Sequence, residues 1–357
     1  TLEIVMAWYH HITDGMSAER RYRSGQLDAF LPKRYSDEEL DTKRSAPMEL
    51  QPTLNEVKWL VSKKDFETAS SIIEASFNKR IQIWPGRYEF EELANVLYGH
   101  SGNLERLGSH REGPASDFAE WYRNHPENPY AASLYANALH QLGFSHRGEE
   151  WAGEVTEEGW EKLDRYTQQA DDVLRGCANR HGQHWIYKDI NFGLSISTGP
   201  SLAELYERFE LACEQQPLSM SLWLQFANML LPRWFGDFEK LNRLCLMSVE
   251  RTHSELGMLI YARILAMLFD MGEDPTDVIF QPELLVMAAD DMAKRNDDRL
   301  RTLGAALYAI IGDNLSAQET ISKISTFYND WWIHENEPYL IVGVAVRQRE
   351  RAAKKAA

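Results

Sequence analysis

The residues of this sequence that are best able to do chemistry are carboxylates, and they are concentrated in two zones. Nine acidic residues lie between 149 and 172, where only Lys162 and Arg165 are nearby bases. General acid–base catalysis needs a carboxylate that is shielded from water, so that its pKa rises. Most of these positions look solvated, because only Val155 and Trp160 anchor the segment. The first zone therefore predicts an exposed acidic face and not a catalytic pair.

An acidic face of this kind is also a surface that can steer a basic protein partner. The second acidic zone runs from 270 to 277 and continues at 290–298. Trp151 and Trp160 lie beside the first zone and are candidate anchors for such a partner. Core packing is favoured over anchoring for Trp160, and the two roles are evenly matched for Trp151. The residues predicted to contact a partner are Glu149, Glu150, Trp151, Glu154, Glu157, Glu158, Asp270, Glu273, Asp274 and Arg233.

Histidines offer one candidate metal site, at His181 and His184, with Asp189 as the nearest third ligand. Gly182 weakens a helix between the two histidines, and a polar loop between helices is the favoured interpretation. The sequence contains no glycine-rich phosphate loop, no G-x-S-x-G nucleophile elbow and no H-E-x-x-H zinc helix. We therefore predict no catalytic residues, no bound cofactor and no metal.

Composition narrows the class of protein. A net charge of −16 and a pI near 5.2 disfavour nucleic-acid binding, which needs clustered Lys and Arg. The longest apolar stretch, from Leu256 to Phe269, is too short to span a bilayer, and the N-terminal residues lack the pattern of a signal peptide. Cys177, Cys213 and Cys245 are odd in number and widely spaced, which favours a reducing, cytoplasmic location.

The elements that must position these residues are helices. Apolar residues recur at helical spacing through most of the chain, most clearly between 202 and 213. Ser201 and Glu204 form a capping box ahead of that stretch, in which each side chain accepts one backbone N–H of the other residue. The same box is predicted at Ser36 with Glu39, Thr53 with Glu56, and Ser316 with Glu319. These patterns predict an all-α fold.

Short connections join several of the predicted helices. A tight turn is predicted around Lys63 to Asp65, a second hairpin within 133–155, and a third where Gly312 ends one helix and Ser316 opens the next. Helices joined by short loops pack as antiparallel hairpins, and stacked hairpins form a solenoid. The strict period of about 34 residues is missing. The predicted architecture is therefore an irregular tetratricopeptide-like antiparallel helix-hairpin array, an α-solenoid.

Composition also sets the predicted domain boundaries. Residues 1–50 are polar and contain helix-breaking prolines, which predicts an irregular N-terminal arm. The helical array is predicted over 51–345. The last stretch, 346–357, is basic and is predicted to be a separate tail.

The stretch LLPRWFGDFEKL, residues 230–241, interrupts the helical pattern. Pro232 cannot continue the preceding helix cleanly, and Gly236 offers the backbone freedom that a tight reversal needs. Asp237 can cap the next helix at its start. The stretch is therefore predicted to be a hairpin corner and not a ligand loop.

The side chains of this corner are given separate roles. Trp223 and Phe226 are predicted to belong to the buried stripe of the preceding helix. Trp234 and Phe235 are predicted to fill the gap between the two helices that the corner joins. Arg233 is the residue of the corner that is left as a candidate contact.

Two short motifs carry a resemblance to a known family. In the first motif an aromatic residue precedes Arg-Gly, and Val-Thr and a Trp follow; its positions are Phe144, Arg147, Gly148, Val155, Thr156 and Trp160. The second motif is Pro-Arg-Trp-x-Gly, further downstream; its positions are Pro232, Arg233, Trp234 and Gly236. Over about 60–270 the chain resembles an uncharacterised bacterial domain-of-unknown-function family with a tetratricopeptide-like helical fold. Phe144 stands where that family usually has Trp, and Phe235 where a first Gly is common.

The resemblance implies a function, because members of such families often lie among bacterial secretion and polymorphic-toxin genes. It implies a non-catalytic immunity protein that neutralises a type VI secretion or polymorphic toxin by binding it. The partner would be another protein with a basic surface, bound through the acidic zones. Two alternatives stay open: a helical-repeat scaffold or adaptor for secretion or signalling components, and an all-α enzyme whose site is assembled from distant residues.

Overall fold

Helices contain 79% of the residues that the structure, a computed structural model, describes. The described residues are 50–102, 113–148, 153–270 and 281–324. The helical content confirms the all-α fold class. The predicted arm up to residue 49 and the predicted tail 346–357 lie outside the described residues. Among the helices that are described, none combines the length and the apolar character that crossing a membrane requires. All three cysteines are buried thiols.

The chain divides into two compact units, and the division follows Asp237 in the predicted corner. The elements of the first unit, Ala46–Asp237, are α1 (Gln51–Ser62), α2 (Phe66–Lys79), β1 (Gln82–Trp84), β2 (Arg87–Tyr88), α3 (Glu89–Gly102), α4 (Gly113–Asn124), α5 (Pro129–Arg147), α6 (Glu157–His181), α7 (Trp185–Gly193), α8 (Ser195–Thr198), α9 (Leu202–Gln215) and α10 (Met220–Met229). The described elements of the second unit are α11 (Phe238–Leu256), α12 (Leu259–Asp270), α13 (Pro282–Lys294), α14 (Asp298–Ile310) and α15 (Asn314–Ile321). The single array over 51–345 stays a prediction.

The starts of the helices show where local rules of capping succeed. At α9 both halves of the predicted box are present, since Glu204 N donates to Ser201 Oγ and Ser201 N donates to the Glu204 carboxylate (2.8 Å). The box predicted at Thr53 is wrong. Pro52 lies in the first turn of α1, where a missing N–H costs nothing, so the helix starts earlier and Thr53 lies inside it.

Two of the predicted hairpin turns are present where they were expected. Lys63 to Asp65 connect α1 with α2, with Lys64 in the left-handed region (φ +60°) and Asp65 capping α2. Gly312 (φ +78°) ends α14, as predicted. The prediction that Ser316 caps the start of α15 is wrong, because Asp313 is the N-cap and accepts a hydrogen bond from Ser316 N (3.0 Å). The box predicted at Ser36 lies outside the described residues.

Helices α5 and α6 form the clearest antiparallel hairpin. Near the end of α5, the ring of His146 stacks on Tyr166 in the first half of α6 (centroids 5.6 Å apart). At the other end, Arg180 and His181 of α6 reach back to the carbonyl of Pro126, just before α5, at 2.9 and 3.0 Å. The two helices approach closely at Gly143, because this residue has no side chain. A Cβ there would lie only 3.2 Å from Leu163.

The described strands form a short hairpin that the sequence patterns did not predict. Gln82 pairs with Tyr88 and Trp84 with Arg87 around a turn in which Gly86 has φ +78°. The carbonyl of Gly86 accepts a hydrogen bond from Met220 N (2.8 Å) at the start of α10. The hairpin therefore joins the start of α3 to the start of α10, two elements that line a cavity.

An aromatic cluster centred on Trp185 holds four helices of the first unit together. Phe77 of α2 stacks on the Trp185 ring (centroids 5.0 Å apart, planes at 13°), and Phe90 of α3 meets it edge-on at 4.9 Å. Tyr130 of α5 packs against a further edge at 5.9 Å. Such aromatic pairs add roughly 0.5–1.5 kcal/mol each beyond the area they bury. They fix the position of α7, which carries Trp185 at its first residue.

The stretch 230–237 forms a turn after α10, and one part of the prediction for its side chains is wrong. That the stretch is a hairpin corner stays a prediction, because the helices on its two sides belong to different units. Trp223, Phe226 and Leu230 are fully buried, as expected for the stripe of α10. Trp234 is 42% exposed, so its predicted role in filling a gap is wrong. Gly236 is needed for close approach: a Cβ there would lie 2.1 Å from the carbonyl oxygen of Leu230, where no side chain fits.

Candidate functional site

Helix α6 presents a stripe of exposed carboxylates. Its buried positions repeat at intervals of three and four residues along the whole helix: Gly159, Leu163, Thr167, Ala170, Leu174, Cys177 and His181. This seam faces the neighbouring helices, so the opposite side faces solvent. Glu157, Glu161 and Asp164 are exposed and spaced i, i+4 and i+7, which places them on one face. We call these three residues the acidic stripe.

Trp160 is exposed beside the acidic stripe. Its side chain keeps 37% of its surface accessible, so the preference for core packing at this position is wrong. The guanidinium of Arg147 lies over its ring at 5.2 Å from the centroid. The helix starts just before it, where the Thr156 hydroxyl accepts a hydrogen bond from Gly159 N (3.1 Å). This cap fixes Trp160 on the first turn of α6, between Glu157 and Asp164.

The other residues predicted to bind a partner are scattered. Glu154, Glu157 and Glu158 are exposed near the start of α6. Arg233 is exposed in the corner, where its guanidinium donates to Asn228 Oδ1 at 3.4 Å. Asp270 is the last residue of α12, and its side chain is not among those described. The other predicted residues lie outside the described residues; they are Glu149, Glu150, Trp151, Glu273 and Asp274.

The described part of the second acidic zone is engaged in building helices. Asp297 is the N-cap of α14 and accepts from Leu300 N (3.1 Å). Asp291 accepts from Met258 N (2.8 Å) and pairs with Arg295 at 2.9 Å. These aspartates lie in the second unit, whereas the acidic stripe lies in the first. The described aspartates of the second zone therefore stabilise helices of their own unit, and residues 271–277 of that zone lie outside the described residues.

The residues of the candidate metal site face different partners. His181 Nε2 lies 3.0 Å from the Pro126 carbonyl, and His184 Nε2 lies 3.1 Å from Glu74. His184 is also the N-cap of α7. Asp189 is bonded to neither histidine. Among the residues described, no group of three or more His, Cys, Asp or Glu side chains is arranged to hold a metal ion.

Asp189 instead lines a cavity of about 310 Å³ in the first unit. The walls come from β2, α3, the start of α7, and the segment from the end of α9 into α10. The lining residues are Arg87, Glu91, Ala94, Asn95, Tyr98, Trp185, Asp189, Gln216, Ser219, Ser221, Leu222 and Gln225. Two carboxylates, Glu91 and Asp189, therefore open onto one space although they are far apart in sequence.

Asp189 is held by two side chains across the cavity. The Tyr98 hydroxyl donates to Oδ2 (2.9 Å) and the Gln216 amide donates to Oδ1 (3.2 Å). Burial raises the pKa of Asp189, and these two hydrogen bonds act in the opposite direction. The residue is half-buried.

Glu91 lies in the first turn of α3 and is held in a similar way. Its carboxylate accepts from Tyr88 N (2.6 Å), the residue before the helix, and from the Ser219 hydroxyl. Burial raises the pKa of Glu91 to about 7, the hydrogen bonds from Ser219 and Tyr88 lower it, and the negative charge of Asp189 raises it further. Ser219 is also the N-cap of α10. One hydroxyl therefore ties α10 to the carboxylate of α3.

A second polar cluster supports Trp185 at the edge of the cavity. Glu74 accepts hydrogen bonds from the Tyr130 hydroxyl (2.9 Å) and from Trp185 Nε1 (3.3 Å), next to His184. The hydrogen bond with His184 is the main reason that the pKa of Glu74 lies below its ordinary value. These contacts fix the indole ring in place.

Sequence reasoning missed the cavity, and the available signals were weak. Glu91 lies among other acidic residues in the stretch EFEE, and nothing local separates it from its neighbours. Asp189 drew attention only as a possible third ligand beside two histidines. Comparison of the chain with family models, with curated proteins and with solved structures finds no match.

Proposed function

We propose that this protein is a non-catalytic interaction protein, which binds a basic partner protein through the acidic stripe of α6 with Trp160 as the anchor. The observation that carries the proposal is the exposed Trp160 between Glu157 and Asp164. Tryptophan is enriched among the residues that dominate binding energy, and surrounding carboxylates steer a cationic surface toward it.

The fold that presents this surface is proposed to be a tetratricopeptide-like array of helix hairpins. The α1–α2 and α5–α6 hairpins support that architecture, because stacked antiparallel hairpins are its repeating unit. Exposed residues along one long helix, as on α6, are a usual way for such arrays to contact protein partners.

The specific form that we propose is an immunity protein in the bacterial cytoplasm. It would neutralise a type VI secretion or polymorphic toxin by covering the basic surface with which the toxin acts. The support is the resemblance of the Arg-Gly, Val-Thr and Pro-Arg-Trp-x-Gly motifs, together with the net charge of −16. A scaffold or adaptor for secretion or signalling components is the alternative use of the same surface.

An all-α enzyme is a second candidate, and the cavity is the observation that favours it. A carboxyl with a pKa near 7, as at Glu91, suits general acid–base catalysis. Both oxygens of Glu91 already accept hydrogen bonds, from Tyr88 N and Ser219. Proton transfer to a substrate would have to break one of these, so we rank binding above catalysis.

The test is binding of a basic toxin encoded beside the gene, with matched charge reversals. Glu161→Lys with Asp164→Lys alters the stripe, whereas Glu207→Lys with Glu214→Lys makes the same charge change on the exposed face of α9. We expect the stripe variant to weaken the affinity by about tenfold or more and the α9 variant to leave it unchanged. Trp160→Ala should weaken it by about 30-fold, equivalent to about 2 kcal/mol.

Co-expression separates the immunity role from its alternatives. Protection of cells from the toxin by the wild-type protein, and its loss in the stripe variant, is the expected result. Binding of several unrelated partners without protection would favour the scaffold. Equal weakening by both charge reversals would show that only net charge matters, and would exclude the acidic stripe as the binding surface.

A further inference from the structure

We infer that the cavity between α3, α7 and α10 is a binding site for a small organic cation, such as a protonated amine. The inference does not rest on the proposed protein partner, because the residues concerned line a cavity of the first unit and none of them belongs to the acidic stripe.

The size of the cavity suits a small ligand. Its volume of about 310 Å³ lies at the lower end of the range for pockets that hold small molecules, roughly 300–1,000 Å³. Polar and charged side chains form most of its lining, and a few aliphatic and aromatic side chains form the rest. This composition suits a small polar or charged ligand better than an apolar one. Because the hairpin turn at Gly86 and the cap of α10 at Ser219 are both hydrogen-bonded, the cavity wall is preformed.

The charge of the lining decides the class of ligand. Glu91 and Asp189 both face the space, and Arg87 is the one cationic side chain among the lining residues. Arg87 is paired with Glu92, and its charge lowers the pKa of Glu91 less than the charge of Asp189 raises it. Two half-buried carboxylates that share one cavity repel each other, and a ligand that brings a positive charge relieves that repulsion.

The acceptors that remain support a cation rather than an anion. Each carboxylate oxygen has a further lone pair beyond the hydrogen bond it accepts, so it can also receive a hydrogen from an ammonium group. Tyr98 and Trp185 supply aromatic rings beside the carboxylates, as in many sites for organic cations. A metal ion is less well served, because no third His, Cys, Asp or Glu ligand joins the two carboxylates in the described residues.

Ionisation of the site follows from the same arrangement. Burial raises the pKa of both carboxyls, and the other titratable groups near Glu91 are Asp189, Arg87, Tyr88 and Tyr98. A bound cation favours the ionised carboxylate, so binding below about pH 7 must release a proton from Glu91. The affinity is therefore expected to rise with pH and to level off above about 8.

The experiment compares putrescine with 1,4-butanediol, a neutral molecule of similar length, by isothermal titration calorimetry on the full chain at pH 8. We expect putrescine to bind and butanediol not to bind. Asp189→Asn keeps the side-chain shape and one of the two acceptor oxygens but removes the charge, and should weaken putrescine binding by tenfold or more. Glu207→Gln, on the exposed face of α9, removes one carboxylate at the surface and should leave the binding unchanged.

Several outcomes would overturn the inference. Equal binding of butanediol, binding of a neutral sugar in place of putrescine, or an equal loss in Glu207→Gln would each do so. Absence of binding by putrescine, agmatine and choline alike would also exclude a site for organic cations. If Asp189→Asn is poorly folded by circular dichroism, Glu91→Gln provides the second test. Asp189→Asn should leave binding of the protein partner intact, so the failure of one proposal is distinguishable from that of the other.

Discussion

Carboxylates occur in two contrasting settings in the first unit. Glu157, Glu161 and Asp164 stand on the solvent side of α6, and they share their face with an exposed Trp. Glu91 and Asp189 lie against a cavity, where each accepts two hydrogen bonds from the surrounding structure. The same chemical group therefore serves as a long-range charge in one region and as a fixed, desolvated acceptor in the other.

The difference teaches that the number of acidic residues says little about their chemistry. The acidic zone on and before α6 is the most acidic segment of the first unit, yet the charge of its exposed members is screened by salt. The cavity holds only two carboxylates, but burial raises the pKa values of both. Environment, and not local density, decides which carboxylates are unusual.

The largest effect that would sharpen this comparison is the pH dependence of the stability that Glu91 contributes. The pKa of Glu91 is about 7 in the folded protein against an ordinary value of 4.5, so its protonated form favours folding. That contribution is fully present below about pH 4.5 and is lost as the pH rises through about 7. Relative to Glu91→Gln, the wild-type free energy of unfolding should fall by on the order of 3 kcal/mol across this range, because each tenfold change in proton affinity is equivalent to about 1.36 kcal/mol.

Glu204 provides the control, because its pKa is shifted in the opposite direction to that of Glu91. Hydrogen bonds from Ser201 lower the pKa of Glu204, so the contribution of Glu204 is present above its ordinary value of 4.5 and is lost as the pH falls through the lowered value. Urea unfolding as a function of pH should show that the wild type loses stability relative to Glu204→Gln as the pH falls, whereas it loses stability relative to Glu91→Gln as the pH rises. Parallel curves for the wild type and Glu91→Gln would show that Glu91 is not desolvated.

The next effect is the loss of a buried acceptor. Asp189→Ala leaves the Tyr98 hydroxyl and the Gln216 amide without their acceptor, and should destabilise the first unit by about 2 kcal/mol. Glu161→Ala on the stripe should change the stability by no more than about 0.5 kcal/mol. Hydrogen exchange of the α6 and α7 amides measures the stability change of each variant, because both helices belong to the first unit. A similar cost for the two variants would remove the distinction between the regions.

The smallest effect concerns an ion pair at the edge of the stripe. Lys162 pairs with Glu158 one turn earlier (2.7 Å), and the pair is open to solvent. Lys162→Met should lower the stability of α6 by only about 0.3 kcal/mol, because exposed pairs at this spacing contribute little. The variant also makes the surface more acidic, so binding of a basic partner should strengthen slightly. A loss of binding would show that Lys162 itself contacts the partner.

Capping explains which helix starts could be predicted. Ser201 and Glu204 were recognised because the box is completed within four residues and no stronger signal competes with it. Thr53 and Ser316 match the same pattern, but Pro52 and Asp313 set the helix starts nearby. Local rules therefore predict that a helix exists more reliably than they predict its first residue.

Exposure of single aromatic residues was harder to predict. Trp160 and Trp234 are both exposed, although their size favours burial. Trp160 lies next to the buried seam of α6, and whether a neighbouring helix covers it depends on packing that no local pattern describes. The β1–β2 hairpin was missed because its paired segments are only three and two residues long.

The sequence by itself determined the helical class, the turns at Lys63 to Asp65 and at Gly312, and the acidic character of α6, because periodicity, capping and composition act over a few residues. Only the tertiary structure decided that Glu91, on α3, meets Asp189, on α7, across one cavity. Desolvation depends on every group packed around a carboxylate, and those groups come from helices that are distant in the chain. The site with unusual chemistry was therefore the part of this protein that local patterns could not reveal.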